Sequence, residues 1–246
     1  MKRILLRRLN KLLSKAGYRF DKIERMRSKP NDNSMELALL RINQLGLQPT
    51  KVVDVGAAKG SWTKLAMKYW PDSQYVLFEP LVEQIEMIPP DIKSSPNCEI
   101  VQAVASNKNG VELLTIADDM DGSGLYGGVG KNVREVPEVI LDDFISEHDH
   151  SIILKLDTHG FEIPIFEGAN KMFACTEAII VEVYGFYVSP QAKLFHQVSE
   201  YLFQHGFRLF DVVDVMRRKK DNAFWQADAI FLRSDNHVFQ NNTYQI

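Results

Sequence analysis

Residues 51–60, Lys-Val-Val-Asp-Val-Gly-Ala-Ala-Lys-Gly, constrain the fold more than any other stretch of the chain. Val52, Val53 and Val55 form a short β-branched run suited to a buried strand, with Asp54 inside it. Gly56 ends the run and Gly60 follows four residues later. Residues 61–69 then place Trp62, Leu65, Ala66 and Tyr69 on one helical face. The pattern is strand, tight glycine turn, helix. Such a turn brings bare backbone close to a ligand, and the helix start leaves N–H groups unpaired. A second strand, residues 74–78, ends in Glu79-Pro80, twenty-five residues after Asp54. An acid at that strand tip is placed to accept two hydrogen bonds from a ribose diol.

Further along, strands and helices alternate. A helix is predicted over 35–45, with Ser34 as its cap, and another over 81–88, stopped by Pro89-Pro90. Strand 99–104 brings Val104 and Ala105 to its C-terminal end, where an adenine is usually held. Asn109-Gly110 is a turn signal before strand 111–116. The glycine-rich run 121–130 has no Lys-Ser/Thr and so is no phosphate loop; a loop over a site and a plain turn both fit it. Strand 152–156 ends in Asp157-Thr158-His159-Gly160 and leads into helix 161–168. Strand 178–183 carries Glu182 at its end, and a helix over 191–205 follows. Strands 207–215 and 227–233 flank the basic run 217–220, read as a solvated hairpin tip or an anion contact. The alternation closes on two consecutive strands. It implies an α/β fold with a seven-stranded, mostly parallel sheet, an antiparallel terminal hairpin, and helices on both faces.

A chain of 246 residues fits one such domain, 34–246, with an appendage over 1–33. The net charge of -3 gives no reason to expect nucleic acid as a partner. Cys98 and Cys175 make no metal spacing and read as buried, reduced thiols of a cytoplasmic protein.

Two cofactor classes compete for the turn. Dinucleotide sites use Gly-x-Gly-x-x-Gly, whereas here the spacing is Gly-x-x-x-Gly led by Asp54. That form resembles the first motif of class I S-adenosylmethionine (SAM)-dependent methyltransferases. The ordered set Val-Asp-Val-Gly-Ala-Ala-Lys-Gly (53–60), Phe-Glu-Pro (78–80), Ala-Val-Ala-Ser-Asn (103–107), Leu-Asp-Asp-Phe (141–144), Leu-Lys-Leu-Asp-Thr-His-Gly-Phe-Glu (154–162), Phe-Glu-Gly-Ala (166–169) and Val-Glu-Val (181–183) resembles the FkbM-type methyltransferase family. The resemblance implies a Rossmann-like class I fold and O-methylation of a hydroxyl on a sugar, glycan or secondary metabolite, as in polysaccharide biosynthesis. It places SAM against Asp54, Gly56, Ala57, Gly60, Glu79, Pro80, Val104 and Ala105. Two positions depart from the family pattern: Ala58 stands where Asn is common, and His159 where Glu or Gln is frequent. The alternatives are a dinucleotide-dependent oxidoreductase and a non-catalytic interaction protein on the same fold. Homo-oligomer formation is left open.

Ligands of an open α/β sheet lie at the carboxyl ends of its strands. With Asp54 and Glu79 assigned to the cofactor, Asp157, His159 and Glu182 remain there as candidate catalytic residues. A hydroxyl acceptor must lose its proton, and an imidazole is a general base suited to neutral pH. Asp157 and Glu182 are left with two readings: they orient the imidazole, or they bind a divalent cation that acidifies the hydroxyl. Glu162 is assigned to the first turn of its helix. Amino-methyltransferases of nucleic-acid bases carry Asn/Asp-Pro-Pro-Tyr/Phe where this chain has Asp-Thr-His-Gly. The Tyr-x-x-x-Lys of short-chain reductases occurs only at 18–22, ahead of the first strand, and Gly-x-Ser-x-Gly is absent.

Residues 1–17 contain Lys2, Arg3, Arg7, Arg8, Lys11 and Lys15 and no acid. Leu5, Leu6, Leu9, Leu12, Leu13 and Ala16 share one helical face. The segment is too short to cross a bilayer, but a basic amphipathic helix suits an anionic membrane surface, here the inner face. Packing of the leucines on the domain or on a second copy is the competing reading. Each basic residue near such a surface contributes on the order of 1 kcal/mol, weakened by salt. The membrane reading predicts flotation of the full chain with anionic vesicles, and its loss at high salt or on deleting residues 1–17. A full chain that ignores such vesicles overturns it.

Overall fold

The computed structural model describes residues 33–117, 120, 123–125 and 132–244. The predicted basic helix over 1–17, nearly all of the linker to 33, and most of the glycine-rich run lie outside the described residues. Helix α1 (Met35–Gln44) begins where predicted, and the Ser34 hydroxyl accepts from the Leu37 N–H. Strand β1 (Lys51–Val55), helix α2 (Ser61–Ala66) and strand β2 (Gln74–Phe78) reproduce the strand–turn–helix–strand reading. Helices α3 (Val82–Met87) and α4 (Pro90–Lys93) lead to β3 (Cys98–Val101). Then come β4 (Val104–Ser106), β5 (Gly110–Ile116), β6 (Gly124–Leu125) and β7 (Asn132–Ile140). The chain continues through β8 (Ile152–Leu156), α5 (Glu162–Glu167), α6 (Asn170–Cys175) and β9 (Thr176–Tyr184). It closes with α7 (Phe195–Gln204), β10 (Phe207–Arg217) and β11 (Phe224–Arg233).

Seven strands form the main sheet in the order β10-β11-β9-β8-β1-β2-β3. The strands from β3 to β9 run parallel, and β11 and β10 add antiparallel at the edge. This is the seven-stranded plan expected from the alternation. A strand buried on both faces must be apolar on both. Accordingly β1, β8 and the centre of β9 are closed to solvent along their lengths. One face packs Val53, Leu154 and Val181 under Ile165, Phe166 and Leu202 of α5 and α7. The other packs Val52, Ile153 and Ile180 under Leu39 and Ile42 of α1 and Ala66 of α2. At the amino end of β1, Lys51 Nζ is held by Asp149 Oδ2 and the Phe144 carbonyl, each at 2.6 Å.

Two expectations are corrected. Residues 99–104 do not form one strand: the backbone turns after Val101, with Ala103 N donating to Val101 O, and Val104–Ser106 joins a second sheet. That sheet has the order β4-β7-β5-β6. The chain does turn between β4 and β5 near Asn109-Gly110, as expected, but the two strands are not neighbours: β4 pairs with β7, in parallel, and β5 pairs with β7 antiparallel. Cys98 and Cys175 are free but half-buried rather than enclosed. Among the described residues no helix is long and apolar enough to cross a membrane.

The two sheets meet where α5 ends. A Cβ on Gly168 would lie 2.0 Å from the Ser106 carbonyl oxygen, at the end of β4. Gly46 has a left-handed φ of +86° but open space around it. Gly168→Ala is expected to cost about 3 kcal/mol of stability through overpacking, against about 1 kcal/mol for the backbone strain of Gly46→Ala. Urea midpoints of the two variants check this; equal losses would mean that β4 and α5 are free to move apart.

Candidate active site

The glycine turn is built by its neighbours. Gly56 has φ 75°, and the N–H groups of Gly56 and Ala57 both donate to the Phe78 carbonyl at 3.0 Å. A Cβ on Gly56 would stand 2.1 Å from the Asp157 carbonyl oxygen, so glycine is required by the end of β8 as well as by any ligand. Glu79, 5% exposed, accepts from the Ala58 N–H at 2.8 Å through Oε2 and from the Leu81 N–H at 2.9 Å through Oε1. The backbone thus fixes this carboxylate at the tip of β2. Ala58 takes φ 47° to reach it.

A cleft of about 370 Å³ opens at the carboxyl ends of the parallel strands. Gly56, Ala57, Glu79 and Pro80 line it, as expected, and so do Val104 and Ala105 despite their transfer to the second sheet. Leu114 and Leu125 of that sheet form a further wall, with Met120, Ser123 and Gly124 beside them. Part of the glycine-rich run therefore borders the site, as one of its two readings held. Asp157, His159 and Glu182 stand on the lining together.

Two residues expected to touch the cofactor do not reach the lining. Asp54 is fully buried beneath it, accepting from Thr63 Oγ1 at 2.6 Å, with Oδ1 3.5 Å from Lys155 Nζ. Its side chain fastens α2 to β1, because an acid in the middle of a five-residue buried strand can point only into the protein. Gly60, φ 74°, is the N-cap of α2 and abuts Ile88. Both shape the turn from behind.

Strand register explains what surrounds Asp54. Asp54 of β1 lies opposite Lys155 of β8, Lys155 opposite Ile180 of β9, and Glu182 of β9 opposite Asp228 of β11. Side chains two apart share a face, so Asp54, Lys155, Glu182 and Asp228 lie on one face at the carboxyl edge, with Glu182 and Asp228 one rung beyond the row of Asp54 and Lys155. Lys155 Nζ also lies 3.2 Å from Asp157 Oδ2. Burial alone would lower the Lys155 ammonium, but Asp157 and Asp54 hold it above its ordinary range. Burial would raise the Asp157 carboxyl, yet Lys155 keeps it below the usual carboxylate range. Glu182 goes the other way: burial, then the nearby Asp157 charge, push it up to about 8. Burial likewise lifts Asp228 to about 6.

His159 sits at φ 55° and places Nε2 3.9 Å from both Asp157 Oδ1 and Glu182 Oε2. Glu162, assigned from sequence to its helix's first turn, reaches back and accepts from the Gly160 N–H at 2.8 Å and from Thr158 Oγ1 at 3.3 Å. The Asp-Thr-His-Gly loop is thereby clamped. Tyr184 Oη and Gln226 Nε2 donate to Glu182.

Lys155 and Asp228 went unassigned in the sequence reading. A signal for Lys155 exists: a lysine inside Ile-Ile-Leu-Lys-Leu requires a buried acid nearby. Asp228 has no comparable signal, since only strand pairing shows which residue it faces.

The profile of the family described as "Methyltransferase FkbM domain" matches residues 54–209. No curated protein matches the chain. Similar solved structures include the N-methyltransferase NodS from Bradyrhizobium japonicum, 9% identical, TM-score 0.48, with 84% of this chain and 98% of that one covered. An rRNA methylase from Streptococcus thermophilus is 11% identical, TM-score 0.45, over 80% and 94% of the two chains. Magnesium protoporphyrin IX methyltransferase (ChlM) from Synechocystis, with bound SAM, is 8% identical, TM-score 0.46, over 81% and 76%.

The raised Asp228 carboxyl has a measurable consequence. Its ionised form is disfavoured in the folded protein relative to the unfolded chain, whose value is the ordinary 3.8. The stability it contributes is full below about pH 4 and is lost as pH rises through about 6. Asp228→Asn is therefore expected to be more stable than the native protein at pH 7.5, by an amount on the order of 2 kcal/mol. The difference should shrink between pH 6 and 4. Denaturant titrations across that range check it; a variant less stable at pH 7.5 would show that Asp228 is needed to hold Lys155.

Proposed function

The chain belongs to the FkbM methyltransferase family and is a SAM-dependent methyltransferase, and we propose that its acceptor is a hydroxyl of a sugar, glycan or secondary metabolite. The observation that carries the reading is one cleft joining two kinds of wall. The glycine turn and Glu79 border one part, and Asp157, His159 and Glu182 border another.

The first wall fits SAM. Backbone freed of side chains at Gly56, a carboxylate locked at the tip of β2, and the small apolar surfaces of Pro80, Val104 and Ala105 match a nucleoside. When bound, SAM supplies a methyl carbon whose bond to sulfur breaks in line as the acceptor oxygen attacks, the sulfonium leaving as a neutral thioether. This chain's residues do the rest. Glu79 would hold the ribose hydroxyls. Leu114 and Leu125 exclude water from the adenine side. Asp157, His159 and Glu182 receive the acceptor oxygen where its proton is drawn off. Two carboxylates and an imidazole suit a hydroxyl, which must lose a proton to become nucleophilic. They offer no stacking surface like the Pro-Pro-aromatic motif of base amino-methyltransferases. The basic segment 1–17 suits an acceptor carried at an anionic membrane surface, and the family's association with glycans accords with that.

Calorimetry with SAM tests the first wall: Glu79→Ala is expected to weaken binding by about 1.5–3 kcal/mol. Asp157→Asn and His159→Ala should leave SAM affinity within a few-fold and lower the maximal rate about 10²-fold or more. The rate is read as a gain of one methyl mass on a panel of hydroxyl compounds. Tight NAD binding without SAM binding would overturn the cofactor assignment, and full activity in both variants would overturn the acceptor wall. SAM binding with no turnover on any hydroxyl would favour a non-catalytic role.

A further inference from the structure

Four carboxylates, Asp54, Asp157, Glu182 and Asp228, gather at the carboxyl edge of the sheet, with the Lys155 ammonium against Asp54 and Asp157. Lys155 serves the inner half of this group. It lies 3.5 Å from Asp54 Oδ1 and 3.2 Å from Asp157 Oδ2, which leaves Asp157 Oδ1 turned toward His159. On the outer half, Asp157, His159 and Glu182 each offer one ligand atom within 4.8 Å of the others. His159 Nε2 is equidistant, at 3.9 Å, from Asp157 Oδ1 and Glu182 Oε2.

We propose that Asp157 Oδ1, His159 Nε2 and Glu182 Oε2 form a binding site for one divalent cation of the Mn²⁺ type, with the acceptor oxygen completing its coordination. The inference rests on reading this edge as the acceptor wall, and it specifies how that wall works.

Three features support a cation. The donor set is one imidazole with two carboxylates, which suits a six-coordinate ion between the hard and borderline classes and leaves coordination positions open. Donors around such an ion lie about 3 Å apart when adjacent and about 4.2 Å when opposite, given bonds near 2.1 Å. Shifts of about an ångström, on side chains that are 36% (Asp157), 35% (His159) and 11% (Glu182) exposed, bring these atoms to one centre. Next, both carboxylates are held by a neighbouring side chain, as ligating groups generally are. Lys155 holds the second oxygen of Asp157, and Tyr184 Oη and Gln226 Nε2 donate to Glu182. Finally, the His159 backbone is held in the left-handed region at φ 55°, a costly conformation for a residue with a side chain. Glu162 clamps the loop on both sides of His159, and a Cβ on Gly160 would stand 2.7 Å from Ala192 Cβ. The strain places the imidazole between the two carboxylates.

The proposal changes one role expected from the sequence. A ligating Nε2 has no lone pair left to take a proton, so His159 is a ligand and not the base. A hydroxyl on the cation is more acidic, and its proton passes to water.

Mn²⁺ alone, titrated into the full-length protein, provides the test through loss of the free-ion electron paramagnetic resonance signal. One ion per chain is expected. His159→Ala and Asp157→Asn should each weaken it at least tenfold while retaining SAM binding, whereas Glu147→Gln, an exposed acid, should not. In the native protein bound Mn²⁺ should broaden the His159 imidazole resonances, which needs no variant. Absence of Mn²⁺ binding, equal binding in both variants, or an unbroadened His159 overturns the site. Full-rate methyl transfer in chelator overturns it and leaves the methyltransferase reading intact. Absence of SAM binding, with Mn²⁺ still bound, overturns the SAM reading instead.

Discussion

Everything at the carboxyl edge of the sheet depends on one buried ammonium. Lys155 is 5% exposed and stands between Asp54 and Asp157, one behind the glycine-turn wall of the cleft and the other on the wall proposed for the acceptor. An isolated charge at that depth is unstable, and so are two carboxylates facing each other across it. Together they hold. Asp54 is thereby free to bind Thr63 and fasten α2, which sets the glycine turn. Asp157 is kept ionised at the cleft with one oxygen facing His159. Breaking the ammonium's contacts would disturb both walls at once, because the same side chain links them.

The remaining architecture can be understood as the enclosure for this edge. Parallel strands buried on both faces end together, and each contributes its last side chain to the cleft or to the layer behind it. The second sheet supplies what the main sheet lacks, an apolar wall from Leu114 and Leu125 over the cofactor side. Its attachment is local: the backbone turns after Val101, and β4 closes against Gly168. Arg134 of β7 adds a two-pronged ion pair to Glu83 of α3, at 2.7 and 2.9 Å. Burial there is slight, so that pair contributes little to stability.

Much of this was legible in the sequence, for identifiable reasons. Strands 74–78 and 152–156 are mostly apolar runs bounded by turn residues, broken only by Gln74 and Lys155, and both ends agree with the structure. Glu79, Asp157, His159 and Glu182 could be placed at the carboxyl ends, where they line the cleft, because strand ends can be located from such runs. Of the second sheet only β5, predicted over 111–116, was legible. Strand β7 contains Pro137 and keeps only one side buried, with Val133 and Glu135 facing out, so its pattern is diluted. Strand β6 has two residues. Asp54 was misplaced because a motif match says that a residue is required without saying what it touches. Its neighbours, Thr63 and Lys155, lie 9 and 101 positions away, and only pairing of β1 with β8 brings the second into contact.

The same row shows why a site of this kind is costly to keep and hard to replace. Glu182 and Asp228 face one another across β9 and β11, and burial pushes both carboxyls up. A sheet designed for stability alone would put apolar residues at both positions, continuing Ile180 and Ile230 one step further. The chain instead stops its apolar ladder one residue pair short and places charge at the cleft. The cost falls where the parallel strands end, the position at which an α/β sheet can reach a ligand without opening its core. The proposed acceptor wall is thus not an addition to the fold. It is the last rung of the sheet, polar where the rungs before it are packed, and Lys155 beneath it holds the Asp157 carboxylate ionised.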